Sequence, residues 1–282
     1  MYRLVTALSP RLPRPVRVRL ARTLGRFFAS RFPAERAAVR RNLGRIHPGR
    51  DAAWHDRMVT RVFENFAVCF SDLLSLNRGP EARLWHLVAG VDDQAPTRQV
   101  LARNKGCVCL TAHLGNWELA GRVLAPLGRR VHVVMAPERD SRVGALLGHR
   151  DAPGVRFVRR ASPFVAVELV AALRRGEVVA FQLDRATGER ADWRVPFFGV
   201  PARFPLGPFL LAAAAGAPIV QAVCVLDDRR TYQLVVEAPI EVTRGEEVAG
   251  LERAVAVLER YVAEHTDQWF NFFDVWDGPA GD

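Results

Sequence analysis

The segment "TAHLGNWELAG", residues 111–121, places a histidine, two glycines, an asparagine, a tryptophan and a glutamate directly after the apolar run "GCVCL". A histidine just beyond a buried strand, with a carboxylate five residues on, can form a proton-transfer pair. Within a single helix a five-residue separation would splay the two side chains apart. If His113 is still on a loop and Gly115 makes a tight turn, the ring folds back over the first helical turn and meets Glu118. The carboxylate would then fix the imidazole tautomer and stabilise the imidazolium formed when the other nitrogen takes a proton. Such a pair brings no nucleophile, so it activates a hydroxyl that the substrate supplies. Amides at the helix start, around Gly115 and Asn116, offer a place for an oxyanion or phosphate. The same residues also have a plainer reading, in which His113 and Asn116 cap a helix and Trp117 fills the core. None of the other six histidines has a comparable strand-end, glycine and carboxylate context.

The surrounding pattern says what must position these groups. From about residue 86, short β-branched runs alternate with helical segments. Strands are expected at 106–112, 131–135, 155–158, 178–183, 218–226 and 231–237, with helices near 117–126, 141–149, 163–175, 205–215 and 246–265. This predicts an α/β fold, a mixed central sheet covered by helices, and functional groups in such sheets gather at the carboxyl ends of strands. Upstream, residues 54–76 repeat apolar positions every three or four residues and read as a long buried helix that Gly79-Pro80 ends. The first 50 residues form a basic helical extension. There Val16, Leu20, Leu24 and Phe27 share one helical face, and Arg19, Arg22 and Arg26 gather on the other. Two placements suit that helix: in the plane of a membrane with its arginines at lipid phosphates, or packed on the domain as an ordinary surface helix. One domain over 1–282, with a basic amphipathic region at 1–50 and an α/β core at 86–276, is the economical organisation.

Composition narrows the partners. The net charge is +10 and Lys105 is the only lysine, so the basic character is almost entirely arginine. That balance favours an anionic partner: a phospholipid surface, an acidic carrier protein or nucleic acid. Zinc-finger spacing, an aromatic-rich RNA-binding signature and a helix-turn-helix are all missing, so no nucleic acid is expected. Cys69, Cys107, Cys109 and Cys224 lie in apolar segments without CxxC spacing, which predicts buried free thiols, a reducing compartment and no metal site. The longest apolar stretch, 209–226, is split by Gly216 and Pro218 and reads as a helix followed by a buried strand.

"LTAHLGNWELAG" resembles the HX4(D/E) block of the lysophospholipid acyltransferase superfamily, in the form found in the bacterial lipid A lauroyl/myristoyl acyltransferase family. That family also includes the phosphatidylinositol mannoside acyltransferases. The similarity extends along most of the chain, with "VRRNLGRIHPG" (39–49), "VFENF" (62–66), "AALRRGEVVAFQLDR" (171–185), "VPFFG" (195–199) and "QWFNFFDVW" (268–276) in the expected order. The resemblance implies a glycerolipid acyltransferase-like fold and transfer of a fatty acyl group from an acyl carrier protein or coenzyme A thioester to a lipid or glycolipid hydroxyl. His113 would be the general base, Glu118 its orienting carboxylate and Asp184 a further polar or catalytic residue, with Phe197 and Phe198 lining a lipid or acyl channel. No cofactor beyond the acyl donor is implied, and no cysteine has to act as nucleophile. The chain reads Asp184-Arg185 where many members have Asp-Gln or Asp-His, which adds Arg185 to the candidate binding residues. Many members begin with a membrane-spanning helix; the short, arginine-rich start here points to peripheral attachment at the cytoplasmic face of the bacterial inner membrane.

Between the His113 block and Asp184 lie Arg139, Arg142, Arg150, Arg156, Arg159 and Arg160. Of these, Arg139, Arg150 and Arg159 are the chosen candidates to clamp a phosphate of the acceptor or the phosphopantetheine of the donor. The C-terminal "DQWFNFFDVW" reads as a buried aromatic plug. Two other functions fit parts of the sequence. A non-catalytic membrane- or nucleic-acid-binding protein would explain the charge but not His113 with Glu118. A thioesterase or lipid hydrolase would use the same pair on water, although the absence of a GxSxG elbow excludes its serine-nucleophile form.

Overall fold

In a computed structural model, the described residues are 12–76, 86–90, 95–102, 105–124, 128–135, 154–159, 164–188, 192–228 and 230–277. The helix expected near 141–149 lies outside them.

Three helices come first: α1 (Arg14–Arg31), α2 (Pro33–Ile46) and α3 (Ala52–Leu76). They are followed by β1 (Val88–Ala89), α4 (Ala95–Ala102), β2 (Cys107–Thr111), α5 (Trp117–Leu124), β3 (Val131–Met135), β4 (Val155–Arg159), α6 (Val165–Arg174) and β5 (Val178–Gln182). The hairpin β6 (Asp192–Phe197) and β7 (Val200–Pro205) precedes α7 (Gly207–Ala215), β8 (Ile219–Leu226), β9 (Tyr232–Val236) and α8 (Glu247–Glu264). A short 3-10 turn, Thr266–Gln268, leads into the C-terminal aromatic segment.

Seven strands make one mixed sheet in the order β1-β9-β8-β2-β5-β3-β4. The pairings of β8, β2, β5, β3 and β4 are parallel, while β9 runs antiparallel to β8. Parallel strands buried on both faces require near-continuous apolar sequence, which is what "CVCL", "VVA" and the whole of β8 provide. One face packs Val108, Leu110, Val179, Leu183 and Val223 against α6, α7 and α8. Over the β8–β9 end of the sheet, Leu119, Cys224, Tyr232 and Leu234 share an apolar cluster with α1, α2 and α3. The basic N-terminal helices therefore pack against the sheet. No helix among the described residues is long and apolar enough to cross a membrane.

The N-terminal helices reverse a simple reading of amphipathicity. The face of α1 that meets α3 is made of Val18, Ala21, Gly25 and Ala29, while the larger Val16, Leu20 and Phe27 remain exposed, Leu20 at 51% and Phe27 at 47%. Small residues let the two backbones approach closely. A Cβ added at Gly25 would lie 2.7 Å from both the Glu64 Cα and the Phe63 carbonyl oxygen.

The β6–β7 hairpin was not expected from the sequence. Pro196, Pro201 and Pro205 remove ladder donors and make the segment read as irregular. Its two-residue turn places Phe198 at φ +50° and Gly199 at φ +74°, the pair of positive values that matches the twist of a tight hairpin.

Gly25→Ala tests the helix contact. At an exposed helical site this change would add roughly 1 kcal/mol of stability, but here the methyl meets backbone on α3. A net loss of about 1–3 kcal/mol is expected, measured by thermal or urea unfolding, and a stabilised variant would show that α1 does not pack as described.

Candidate active site

The register of the sheet builds the site. β2 and β5 are parallel neighbours with Thr111 opposite Gln182, and the Leu183 amide donates to the Thr111 carbonyl at 2.8 Å. Two residues further along both strands, at their carboxyl ends, stand His113 and Asp184. The Asp184 carboxylate accepts from the His113 ring Nδ1 at 2.8 Å and from the His113 amide at 3.0 Å. The hydrogen-bond partner of His113 Nδ1 is thus Asp184 of the neighbouring strand end. Glu118, expected in that role, lies half-buried in the first turn of α5, where the helix N-terminus favours a negative charge.

Asp184 is 1% exposed and receives two more hydrogen bonds, from Trp269 Nε1 at 3.0 Å and Asn271 Nδ2 at 2.8 Å. Burial alone pushes its carboxyl up, but His113, Arg185 and Asn271 outweigh burial and hold it at about 2, so it is ionised at neutral pH. For His113 the balance goes the other way. Burial lowers its pKa below the ordinary imidazole value of 6.5, Asp184 opposes the shift, and the Arg185 cation adds to it. The resting imidazole is therefore neutral. Since Nδ1 faces an ionised carboxylate, the proton sits on Nδ1 and Nε2 carries the lone pair.

The turn after β2 is fastened on every side. Gly115, at φ +60°, runs so close to β8 that any Cβ would strike the Cys224 carbonyl oxygen. The Gly115 amide donates to the Gln268 carbonyl at 2.9 Å and the Asn116 amide to the Cys224 carbonyl at 2.7 Å. These two amides, candidates for holding an anion, are spent inside the protein. The Asn116 side chain is likewise turned inward, donating to the Cys69 carbonyl at 3.2 Å.

The C-terminal segment closes the site from above. Phe270 donates its amide to the His113 carbonyl at 2.7 Å, and Leu114 and Trp269 form an antiparallel bridge. Arg185 holds the same segment through Nε to Asn271 Oδ1 at 3.1 Å and Nη2 to the Phe270 carbonyl at 3.3 Å. Trp269 and Asn271 are partners of Asp184 that sequence reasoning missed. Their signal was an asparagine set among aromatics in a segment read as a plug.

Phe197 is fully buried, with ring centroids 5.8 Å from Trp269 and 5.4 Å from Trp276. It thus packs on the tryptophan that donates to Asp184. Phe198 is brought instead to a depression of ≈ 490 Å³ between the hairpin and α8, lined also by Glu252, Glu259 and Arg260. Arg156 pairs with Glu168 at 3.6 Å on the sheet edge. Arg139 and Arg150 lie outside the described residues; Arg159 ends β4, and its side chain is also outside the description. All four cysteines are free and buried, with the Cys69 and Cys109 thiols pushed up to about 12 by burial, a state in which neither is a ready nucleophile. Among the described residues no group of His, Cys, Asp and Glu could hold a metal ion.

The pH dependence follows from these charges. If His113 accepts a proton in turnover it must first be neutral, so kcat/KM would rise with pH through a midpoint below 6.5 and be flat at neutral pH. Removing the carboxylate charge in Asp184→Asn should move the midpoint down; removing the cation in Arg185→Gln should move it up. Shifts of opposite sign in pH-rate profiles check this, and shifts of the same sign would contradict it.

Residues 1–277 match the family model described as bacterial lipid A biosynthesis acyltransferase. The chain is 26% identical over 264 residues to a phosphatidylinositol mannoside acyltransferase from Mycobacterium tuberculosis, covering 90% of this chain and 80% of the relative. It is 21% identical over 268 residues to the lipid A biosynthesis palmitoleoyltransferase of Escherichia coli, covering 92% and 84%. Among solved structures, the 1-acyl-sn-glycerophosphate acyltransferase PlsC from Thermotoga maritima overlays with a TM-score of 0.38 and 16% identity, over 92% of this chain and 100% of that one.

Proposed function

Because the chain belongs to the bacterial lipid A biosynthesis acyltransferase family it is a lipid acyltransferase, and we propose that it moves a fatty acyl group from an acyl carrier protein or coenzyme A thioester to a glycolipid hydroxyl with His113 as general base. The observation that carries this reading is the buried His113–Asp184 pair at the strand ends, with Nε2 left as the basic nitrogen. The acceptor hydroxyl gives its proton to Nε2 as its oxygen attacks the thioester carbonyl. The tetrahedral adduct then collapses, the C–S bond breaks, and the departing thiolate takes the proton back from the imidazolium. Asp184 stays ionised throughout and stabilises that imidazolium, while Trp269 and Asn271 keep the carboxylate from rotating away. Both named relatives act on glycolipids by their descriptions, which favours that acceptor class over a simple lysophospholipid.

His113→Ala should lower turnover by roughly 10²–10⁴-fold without unfolding the protein. Mass spectrometry of total lipids from cells expressing wild type or His113→Ala should reveal a lipid differing by one acyl group. Identical lipid profiles from equally expressed, folded proteins, together with full acyl transfer by the variant in vitro, would overturn the base assignment. Release of free fatty acid that ignores added acceptor would instead favour a hydrolase.

The exposed apolar residues of α1, flanked by Arg19, Arg26 and Arg31, suit attachment to an anionic bilayer at the cytoplasmic face of the inner membrane. Replacing Leu20 and Phe27 together by serine should weaken binding to phosphatidylglycerol vesicles by roughly tenfold or more, since each large apolar side chain contributes about 1.5 kcal/mol or more on burial. Unchanged vesicle sedimentation would remove α1 as the contact.

A further inference from the structure

We infer that Asp72 and Tyr232 are positioning residues, which brace the His113 turn from behind and tie its geometry to the docking of α1. The inference rests on His113 being the base. It starts from a buried charge cluster that the transfer chemistry does not use. Asp72, on α3, is fully buried, and two guanidinium groups from α1 converge on it. Arg14 donates Nη2 to Oδ2 at 2.8 Å and Nε to both oxygens at 3.2 Å, and Arg17 donates Nη2 to Oδ1 at 3.0 Å. A third donor comes from the sheet, the Tyr232 hydroxyl on β9, at 3.1 Å from Oδ2.

Chemistry fixes the direction of every link. The Tyr232 hydroxyl donates to Asp72, as do both guanidinium groups, so α1 and β9 hold the same carboxylate on α3. Behind the same turn the Asn116 carboxamide donates Nδ2 at 3.2 Å to the carbonyl of Cys69, three residues before Asp72 on α3, and both Asn116 and Cys69 adjoin the Tyr232 hydroxyl. Asn116 is three residues from His113 and is the last residue before α5. The path thus runs from α1 and Tyr232 to Asp72, and along one stretch of α3 to the Cys69 carbonyl that holds Asn116 and the turn that aims the imidazole. On its front the turn is held by Asp184 and the Phe270 amide, and on its back by this path.

Packing alone does not call for such a cluster. A buried carboxylate with two arginines can be replaced by apolar side chains at little cost in stability, so what it supplies here is direction. The Tyr232 ring is fully buried and would fill the same space as phenylalanine; of its groups the hydroxyl alone holds Asp72, and with it the part of α3 whose Cys69 carbonyl receives Asn116. Through Arg14 and Arg17 the arrangement also makes α1, whose outer face carries the exposed apolar residues, a structural part of the catalytic turn.

The test is Tyr232→Phe and Asp72→Asn, with Leu251→Ala on α8 as a control for destabilisation of the core without loss of a polar link. The readouts are kcat and KM per folded molecule and the His113 Nδ1–H proton resonance, which reports the bond to Asp184. Tyr232→Phe should lower kcat by about tenfold with KM nearly unchanged, because a small misplacement of the base is costly, and should shift or broaden the Nδ1–H line. Leu251→Ala should lower the melting temperature without either effect. If Tyr232→Phe behaves like Leu251→Ala, with line and kcat unchanged, the brace is only structural and the inference fails. A displaced line with unchanged kcat would leave the brace standing and overturn His113 as base. Should Asp72→Asn not fold, Tyr232→Phe decides alone, since it removes one oxygen.

Discussion

A negative charge in a dry interior governs this structure. Asp184 sits at the end of a buried parallel strand, and an ionised carboxylate there persists only if its lone pairs are met. They are met by donors from two remote parts of the chain: the His113 ring and amide after β2, and Trp269 and Asn271 from the C-terminal segment. The end of the chain therefore has to return to the middle of the sheet. Other contacts secure that return. Gln268 bonds both the amide and the carbonyl of Leu226, Asn42 donates to the carbonyls of Asn271 and Phe273, and Arg41 and Arg45 converge on Asp274. α2 is thus bound to the site without touching it.

Low polarity around the pair raises its effect. Phe197 lies edge-on to Trp269 and stacked on Trp276, Trp269 donates to Asp184, and Trp276 donates Nε1 to the Phe197 carbonyl at 3.1 Å. In such surroundings the attraction between carboxylate and imidazolium is stronger than in water, so it would be felt most with the imidazole protonated. The hairpin supplies Phe197 to this aromatic cluster, and its prolines do no harm because, among the described residues, its two strands pair with each other and not with the larger sheet.

The sheet was legible in the sequence because buried parallel strands must be continuously apolar, and β2, β5 and β8 are. The partner of His113 was harder to read. Spacing along the chain can relate His113 only to near neighbours such as Glu118. Asp184 becomes adjacent through the pairing of β2 with β5, which depends on strand order. The family resemblance singled out Asp184, but only the register gives the reason for it. Trp269 and Asn271 stayed hidden because an aromatic run reads as core whether or not its N–H groups have a task. On α1 the helical period was plain and its inward face was not: hydropathy selects Val16, Leu20 and Phe27 as buried, whereas close approach to α3 selected Ala21, Gly25 and Ala29.

The choice of small residues at that contact has a consequence for the site. Had α1 buried its large apolar side chains, its axis would stand further from α3, and Arg14 and Arg17 would not both reach Asp72. Close packing of α1 against α3 brings the guanidinium groups in, which sets the Asp72 carboxylate and through it the Tyr232 hydroxyl. The same packing turns the large side chains outward. One geometric decision, small residues inward, thus produces both an apolar outer surface and a rigid polar path toward the His113 turn, so the two cannot vary independently.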